Sequence, residues 1–328
     1  MKIIHYVLSN RYAGIEQHVN ELATEQSKFN DVVVIANSNI KKYFNKNLQL
    51  INSSNYGRRN FFSLFFLLKI IKKERPDIIH SHGSKTTHLI NRLRYFIKFK
   101  HVATIHGVKS NIKVYLKADA IIGVSKAIQT LFNNKVNIIE NWYNPLFNNQ
   151  TPTNKNKNYY LAIGRLEKIK NFDLLIKCWK SQQDKLLIIG SGPEKNNLQK
   201  LISDMKMEKL ITIIDEVDIQ DLKKYYENAK ALIVSSRKEG GPRVALEALA
   251  VGIPVLSTPV GHMADLLPRE LISKSQSYDD LKMLLDNSIK ILEQFKFESI
   301  YEYIRKEYSL KNKCQEIQKV YQSLTNDS

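Results

Sequence analysis

The chain has few of the residues and patterns that mark several common protein classes. It holds only two cysteines in 328 residues, Cys178 and Cys314, and their spacing fits neither a metal site nor a redox pair. No apolar run approaches the roughly 20 residues that a membrane-spanning helix needs. Residues 1–8 are too short and have the wrong flanks for a signal peptide, and they predict a first buried strand. We therefore expect a cytoplasmic protein with free thiols rather than a disulfide-stabilised secreted one.

Acidic residues are nearly absent from one long stretch of the chain. Lysine plus arginine exceed aspartate plus glutamate by 50 − 32 = 18, and between residues 37 and 118 the only acids are Glu74 and Asp77. The bases of that stretch are Lys41, Lys42, Lys46, Arg58, Arg59, Lys69, Lys72, Lys73, Arg75, Lys85, Arg92, Arg94, Lys98, Lys100, Lys109, Lys113 and Lys117.

Such a one-sided charge favours a polyanionic partner. We expect peripheral contact between the basic N-terminal half and an anionic membrane, where each base near the surface contributes about 1 kcal/mol. A solvated, lysine-rich surface is the alternative. No nucleic-acid partner is expected, because no recognition motif accompanies the charge.

Apolar runs alternate with helical patterns along the whole chain. Strands are predicted at residues 3–8, 32–35, 78–80, 102–105, 120–124, 136–139, 160–163, 186–189, 211–214, 231–234 and 255–256. Helical patterns lie between the first strands, at residues 17–28, 61–73, 86–96 and 126–133, and a polar run at 148–158 predicts a linker. Strands separated by helices are typical of parallel sheets, so the sequence predicts an α/β fold of two doubly wound, Rossmann-like domains.

The most informative segment is EGGPRVALEALAVGIPVLSTPVG at residues 239–261. Glu239 and Glu247 flank a Gly-Gly-Pro turn that precedes a predicted helix at 244–250. Unpaired backbone N–H groups at the start of a helix favour an anion. A carboxylate about two turns into the helix, where we expect Glu247, can accept hydrogen bonds from a ribose diol. The segment indicates a nucleoside diphosphate site, and a surface helix with two solvated glutamates is the alternative.

Residues that directly follow predicted strands support this interpretation, because ligands of such sheets bind at the carboxyl ends of the strands. Arg165 and Lys170 follow the strand at 160–163 and offer a guanidinium and an ammonium suited to a diphosphate. Gly190 and Gly192 follow the strand at 186–189 and permit the close backbone approach that a nucleotide base requires. His106 ends another predicted strand.

Together these segments resemble the retaining glycosyltransferases of family 4 (glycosyltransferase group 1), which have the GT-B fold. The Glu-x7-Glu spacing matches the family's signature, GRLEKIKNF at 164–172 matches its Gly-Arg-Leu…Lys segment, and AGIE at 13–16 is similar to its Gly-Gly-x-Glu loop. The resemblance implies two Rossmann-like domains facing a central cleft. Residues 1–150 would be the acceptor-side domain, 151–305 the nucleotide-sugar domain, and 306–328 a helix packing back on the N-terminal domain.

The resemblance also implies a role for each matched residue. His106, Arg165, Lys170 and Glu239 are expected around the reacting sugar and its diphosphate, and the register selects Lys170 rather than Lys168. The expected donor-binding residues are Gly14, Gly164, Gly190, Gly192, Gly240, Gly241, Pro242, Arg243, Val244 and Glu247, with Glu247 on the ribose. His80 and His82 are expected to be structural. The family's front-face displacement needs no metal, so no cofactor is expected.

The implied activity is hexosyl or N-acetylhexosaminyl transfer from a nucleotide diphosphate-sugar, UDP by family precedent, with retention of configuration. The implied acceptor is lipid-linked or a polysaccharide in cell-surface glycan synthesis. Ala13, Gly241 and the short segment at 108–117 depart from the family pattern. A catalytically weak donor-binding partner subunit and a sugar-nucleotide epimerase of the same fold are the alternatives. The helix at 61–73 fits either a membrane surface or a buried position, and the buried position is favoured.

Overall fold

A computed structural model describes residues 1–54, 61–107, 112–132, 135–147, 157–179, 182 and 184–326. It divides into two compact units, the first formed by Met1–Glu140 with Leu310–Ser328 and the second by Asn141–Ser309. Residues 148–156 of the predicted linker lie outside the described residues, as do Arg58, Arg59 and Lys109 of the basic stretch.

The first unit is built on a seven-stranded parallel sheet with the order β3-β2-β1-β4-β5-β6-β7. Its strands are β1 (Lys2–Tyr6), β2 (Asp31–Asn37), β3 (Gln49–Ser53), β4 (Ile78–His82), β5 (Lys100–Ile105), β6 (Ala120–Gly123) and β7 (Asn137–Ile138). Its helices are α1 (Gly14–Gln26), α2 (Phe61–Glu74), α3 (Ser84–Leu93), α4 (Lys126–Gln129) and the C-terminal helix α13 (Leu310–Asn326).

The second unit has a five-stranded parallel sheet with the order β10-β9-β8-β11-β12. Its strands are β8 (Tyr159–Ile163), β9 (Lys185–Ile189), β10 (Ile211–Ile214), β11 (Ala229–Val234) and β12 (Val255–Ser257). Its helices are α5 (Phe172–Cys178), α6 (Lys195–Asp204), α7 (Ile219–Glu227), α8 (Arg243–Ala250), α9 (Met263–Leu266), α10 (Tyr278–Asp286), α11 (Ser288–Gln294) and α12 (Glu298–Glu307).

The strand order reverses once in each sheet, between β1 and β4 in the first and between β8 and β11 in the second. This order confirms the prediction of two doubly wound α/β units. At such a reversal the connections on either side leave the sheet toward opposite faces, and a crevice opens at the carboxyl ends of the two strands. The two reversals are therefore the places in each unit where a ligand is expected.

Apolar side chains cover both faces of the central strands, as a parallel sheet between helices requires. In the first unit Ile4 and Tyr6 pack with α2 and α3, while Val7 and Val34 pack toward α1. Strand β3, with the sequence QLINS, was not predicted from the sequence. Three of its five residues are polar, and it lies at the edge of the sheet. A strand at the edge of a sheet is only half covered, so its apolar signal is weak.

The C-terminal helix belongs to the first unit and is held there by a buried face that includes Cys314, Ile317 and Tyr321. Asn30 donates a hydrogen bond to the Gln318 side chain at 3.3 Å. Both cysteines are buried free thiols, and burial raises the pKa of each to about 12. Within the described residues, no helix is long and apolar enough to cross a membrane.

The turns after β8 and β9 touch each other backbone to backbone. Leu166 N–H donates to the Ser191 carbonyl at 2.8 Å, and Gly164 N–H donates to that of Ile189 at 3.0 Å. A Cβ atom placed on Gly190, at φ +157°, would lie 1.9 Å from the Gly164 carbonyl oxygen. A Cβ on Gly192 would lie 2.5 Å from the Leu166 carbonyl oxygen. The close approach that these two glycines permit is therefore between neighbouring turns.

The substitution Gly190→Ala is expected to destabilise the second unit by about 2 kcal/mol, since the backbone must move to accept the new methyl group. The thermal unfolding midpoint should fall by about 4–8 °C. Gly164→Ala is the matched control, because Gly164 has nearly the same φ, +158°, but its Cβ would meet only the flexible end of Lys170. Equal losses in the two variants would contradict the assignment of the effect to the turn contact.

Candidate donor site and histidine cluster

The Lys170 ammonium and the Glu239 carboxylate form an ion pair at the strand reversal of the second unit. Lys170 ends a 3-10 turn, Lys168–Lys170, in the loop after β8, and Glu239 lies in the loop after the adjacent strand β11. Lys170 Nζ lies 2.5 Å from Glu239 Oε1, and the Ser236 hydroxyl donates to the same oxygen at 2.7 Å. Because the two side chains are only 21% and 15% exposed, the ammonium has a fixed position.

Backbone contacts hold the two loops together around this pair. The Ser235 hydroxyl donates to the Lys170 carbonyl at 2.9 Å, and Arg237 N–H donates to the Ile169 carbonyl at 2.8 Å. The Lys170 side chain also runs over Gly164, whose Cβ, if it had one, would lie 3.2 Å from the Lys170 Cε. The position of the ammonium is thus determined by both strands of the reversal.

Gly240, Gly241 and Pro242 form the turn that leads from this pair into helix α8, which begins at Arg243. The turn is held from its other side, because Asn141 donates to the Gly241 carbonyl at 3.3 Å and Gly261 approaches the Gly240 carbonyl closely. The first backbone N–H groups of α8 lie directly after this turn, where an anion is favoured.

Glu247 is buried, with 4% of its surface exposed, and is the fifth residue of α8. It therefore lies little more than about one turn from the start of the helix. The expectation of two turns was wrong, because residue 247 is only about one turn beyond a helix start at 243 or at the predicted 244. The Tyr226 hydroxyl donates to Glu247 Oε2 at 3.1 Å. Burial and the negative charge of Glu247 raise the pKa of Tyr226, so the phenol stays protonated as a donor.

The Arg165 guanidinium lies apart from these contacts. Its side chain is 59% exposed and pairs with Glu167 Oε1 at 2.8 Å. Of the four residues expected to be catalytic, the structure therefore brings Lys170 and Glu239 into direct contact, and it places Arg165 on the surface of the same loop. His106 belongs to the first unit.

Gly14 is the first residue of α1, after the carboxyl end of β1, and has open space around the position of a Cβ atom. The Glu16 carboxylate accepts a hydrogen bond from Ala13 N–H at 3.0 Å and so closes the start of the helix. Burial raises the pKa of the Glu16 carboxyl. The loop at 13–16 thus keeps a capped helix start although alanine replaces its first glycine.

Five of the eight histidines cluster at the strand reversal of the first unit. They lie in β1, in β4, directly after β5 and in helix α1, and they are His5, His80, His82, His106 and His18. His5 Nδ1 lies 3.1 Å from His82 Nε2, and His82 Nδ1 lies 3.2 Å from His106 Nε2. Burial lowers the pKa of His5 to about 4 and lowers that of His80 and His82, so these three rings are neutral near pH 7.

Two sets of histidines in this cluster could hold a metal ion, with ligand atoms within 4.8 Å of one another: His5, His80 and His82, and His18, His82 and His106. Hydrogen bonds already occupy both nitrogens of His80, since Nδ1 lies 2.6 Å from the Tyr321 hydroxyl and Nε2 lies 2.6 Å from that of Thr104. His5 and His82 are likewise bonded at both nitrogens. A metal ion would have to displace these bonds.

Sequence reasoning missed four residues of these two sites: Ser236, Tyr226, Gln26 and His5. Ser236 could have been found, since it stands two residues after the end of β11. Tyr226 and Gln26 lie inside or at the end of helices, and no local pattern distinguishes them from packing residues.

Two family models match the chain and together span most of it. The model for glycosyl transferases group 1 matches residues 145–290, and the model for glycosyltransferase family 4 matches residues 12–145. Among relatives, an uncharacterised glycosyltransferase of Methanocaldococcus jannaschii is 26% identical over 97% of this chain and 93% of its own length. An uncharacterised glycosyltransferase of Haemophilus influenzae is 34% identical over 42% of this chain and 41% of its own length.

The chain is also similar to the O-antigen biosynthesis glycosyltransferase WclY of Escherichia coli, at 27% identity over 59% of this chain and 64% of the relative. Among solved structures, a glycosyltransferase of Rickettsia africae aligns over 100% of this chain and 99% of its own, with a TM-score of 0.87 at 19% identity. The Anabaena protein HepE in complex with UDP aligns over 98% of this chain and all of its own, with a TM-score of 0.84 at 15% identity.

The two family matches, the full-length likeness in fold and the glycosyltransferase relatives lead to one conclusion: this chain belongs to the group 1, family 4 type of glycosyltransferases and has their GT-B fold.

Proposed function

We propose that this glycosyltransferase takes its sugar from a nucleotide diphosphate-sugar with UDP as the nucleotide and transfers it with retention of configuration. The proposed acceptor is lipid-linked or a polysaccharide in cell-surface glycan synthesis. The observation that carries the proposal is the Lys170–Glu239 pair, which stands beside the start of α8 at a strand reversal. A fixed cation beside the N-terminus of helix α8 matches a diphosphate, and the buried carboxylate of Glu247 matches a ribose.

The names of similar proteins and the ligands in their structures support UDP as the nucleotide of the donor and cell-surface glycan synthesis as the pathway. Structures of HepE contain UDP and UDP-glucose, and WclY and the Salmonella typhimurium protein RfbU are named for O-antigen synthesis. Each of these proteins is similar to only part of this sequence or only at low identity.

In the proposed reaction the acceptor hydroxyl oxygen forms a bond to the anomeric carbon while the bond from that carbon to the diphosphate oxygen breaks. The acceptor proton passes to the leaving diphosphate. Lys170 stabilises the negative charge that builds up on the diphosphate, and the Arg165 guanidinium exchanges Glu167 for a phosphate oxygen. Glu239 holds the Lys170 ammonium and lies beside the donor sugar. These groups supply the positive charge, and the proposed reaction uses no metal ion.

The substitution Lys170→Ala is expected to lower kcat/KM for the donor by about 100- to 1,000-fold, because it removes charge stabilisation of the leaving group. The measurement is release of the nucleoside diphosphate from a panel of nucleotide-sugars. Lys168→Ala is the matched control: Lys168 lies in the same 3-10 turn, is exposed and makes no contact with Glu239 in the described structure. Undiminished activity of Lys170→Ala, or equal losses in both variants, would show that the phosphate assignment is wrong.

The substitution Glu247→Gln is expected to weaken UDP binding by about 10- to 100-fold, since a hydrogen bond to a charged acceptor contributes about 1.5–3 kcal/mol. The measurement is isothermal titration with UDP and with 2′,3′-dideoxy-UDP. The affinity for UDP should differ between the wild type and the variant. The affinity for the dideoxy analogue should be the same in both, because that analogue lacks the diol that Glu247 would hold. A parallel loss for both nucleotides would contradict the ribose assignment.

We also propose that helix α2 rests on an anionic membrane surface. The buried position expected for this helix holds for one face only, where Leu64, Leu67 and Ile71 are buried. Its exposed positions, which 3.6 residues per turn bring to one side of the helix, are Phe61, Phe62, Phe65, Lys69, Lys72 and Lys73. Aromatic rings followed by lysines on one face fit an interfacial helix at an anionic leaflet, and this surface complements negative lipid charge.

The triple variant Phe61→Ser, Phe62→Ser, Phe65→Ser is expected to bind vesicles containing phosphatidylglycerol about 10-fold more weakly, because each phenylalanine at 67–74% exposure loses its contact with the acyl boundary. Co-sedimentation at two salt concentrations measures this. Phe29→Ser, at another aromatic position that is 55% exposed, is the control. Equal binding to uncharged phosphatidylcholine vesicles would contradict an anionic surface, and unchanged binding of the triple variant would rule out α2.

A further inference from the structure

Three histidines of the first unit bring their ring nitrogens together at the carboxyl ends of two neighbouring strands. His82 is the last residue of β4, His106 directly follows β5, and His18 lies on the buried face of α1. One ring nitrogen of each residue lies within 4.8 Å of a ring nitrogen of the other two. These three residues, called the His18 set below, are therefore arranged as prospective ligands of one ion.

The distances within the His18 set are close to those of a tetrahedral metal site. His82 Nδ1 lies 3.2 Å from His106 Nε2. Two nitrogen ligands of a tetrahedral zinc ion, each about 2.0–2.1 Å from the metal, lie about 3.3 Å apart. The His18 ring stands at 85° to that of His106, with 4.6 Å between their centroids. A movement of the His18 ring by about 1.5 Å or less would complete the set.

The second histidine set, which consists of His5, His80 and His82, is a poorer site. Nδ1 of His80 lies 2.6 Å from the Tyr321 hydroxyl, and its Nε2 lies 2.6 Å from that of Thr104. An ion bound to His80 would take a hydrogen-bond partner from a buried hydroxyl, which is costly. In the His18 set the bond between His82 and His106 joins two prospective ligands, so an ion there replaces that bond with two bonds to metal.

His5 and Gln26 stand behind His82 as a second layer. Ligation through Nδ1 of His82 leaves its Nε2–H to donate to His5 Nδ1, which lies 3.1 Å away. His5 Nε2 in turn lies 2.7 Å from Gln26 Oε1. A metal-binding histidine usually donates its other ring N–H to such a partner, which fixes the orientation of the ring.

The chemistry of the His18 set favours zinc. A histidine must be neutral to bind a metal, and burial, together with the nearby rings of His80 and His5, lowers the pKa of His82. The set contains neither a carboxylate nor a backbone oxygen, the ligands that Mg²⁺ and Ca²⁺ prefer. Three imidazoles and a water molecule are a common tetrahedral environment of Zn²⁺. His106 is only half-buried, which gives the ion a route to the site.

We propose that the first unit binds one Zn²⁺ ion through Nδ1 of His82, Nε2 of His106 and one ring nitrogen of His18. The ion links helix α1 to the ends of β4 and β5, and it stabilises the unit that these elements form. The proposed transfer reaction uses no metal ion, so this zinc is not its cofactor. The inference depends on the histidines of one unit and not on the identity of the sugar donor.

The experiment is a metal titration of the full chain, prepared without a polyhistidine tag, freed of metal with a chelator and kept without nucleotide-sugar. Co²⁺ is the spectroscopic probe, because it takes the place of Zn²⁺ and absorbs strongly in the visible range only when its coordination is tetrahedral. One equivalent of Co²⁺ should produce these bands, and one equivalent of Zn²⁺ should abolish them. Zn²⁺ should also raise the thermal unfolding midpoint, since it binds the folded state.

Variants assign the ligands. His106→Gln and His18→Gln should each weaken Zn²⁺ binding by more than about 100-fold, because loss of an outer partner alone costs about 10- to 100-fold. His5→Phe removes only the outer partner of His82 and should weaken binding by about 10-fold. His101→Gln is the matched control, since His101 is a buried histidine of β5 that belongs to neither set, and its affinity for Zn²⁺ should equal that of the wild type.

The absence of tetrahedral Co²⁺ bands from the wild type would overturn the proposal, as would undiminished binding by His106→Gln. Loss of binding in His80→Gln together with wild-type binding in His18→Gln would assign the ion to the other set and overturn it too. If His18→Gln does not fold, the wild-type spectrum and His106→Gln, at a half-buried position, still decide. Because metal binding is read without the sugar donor, failure of the Lys170 test would refute the proposed function and leave this inference standing.

Discussion

The reversal of strand order within each parallel sheet is the constraint on which the rest of this structure depends. On either side of the reversal the connections turn to opposite faces, so two neighbouring strand ends are left uncovered. In the second unit these ends belong to β8 and β11, and the loops that follow them carry Lys170 and Glu239. In the first unit they belong to β1 and β4, whose His5 and His82 are buried by the neighbouring side chains.

The two units use this shared geometry for different electrostatic purposes. At the second reversal a charged pair remains partly exposed, and a partly exposed pair contributes little to stability. The pair instead fixes the position of the Lys170 ammonium, and the Ser236 hydroxyl donates a hydrogen bond to the same carboxylate oxygen of Glu239. At the first reversal burial lowers the pKa of His5 and His82, and these neutral imidazoles are joined by a directional hydrogen bond.

Two glycines and a buried hydroxyl stabilise the arrangement of the second unit. Gly190 and Gly192 bring the turns after β8 and β9 into backbone contact, which stabilises the loop that ends in Lys170. Tyr226 fills the core of the second unit and at the same time donates to Glu247. Substituting these residues would therefore displace the groups of the site, and it would not remove a side chain that is proposed to contact a ligand.

The sequence alone determined the α/β class, most of the strands and the segments that follow them, because apolar periodicity and strand-end position are local properties. It predicted Lys170, Glu239 and Glu247 as donor-site residues through their spacing and their resemblance to a family. It did not find β3, whose edge position leaves a weak apolar signal, and it treated His82 as an isolated structural residue.

Only the tertiary structure decided which of these residues meet. Lys170 and Glu239 are 69 positions apart and His5 and His82 are 77 apart, so their contacts exist only after the strand order is set. The same holds for Tyr226 with Glu247 and for Gln26 with His5. Hydrogen bonds need atoms within about 3 Å, and no local pattern in a sequence specifies a distance between residues on different strands.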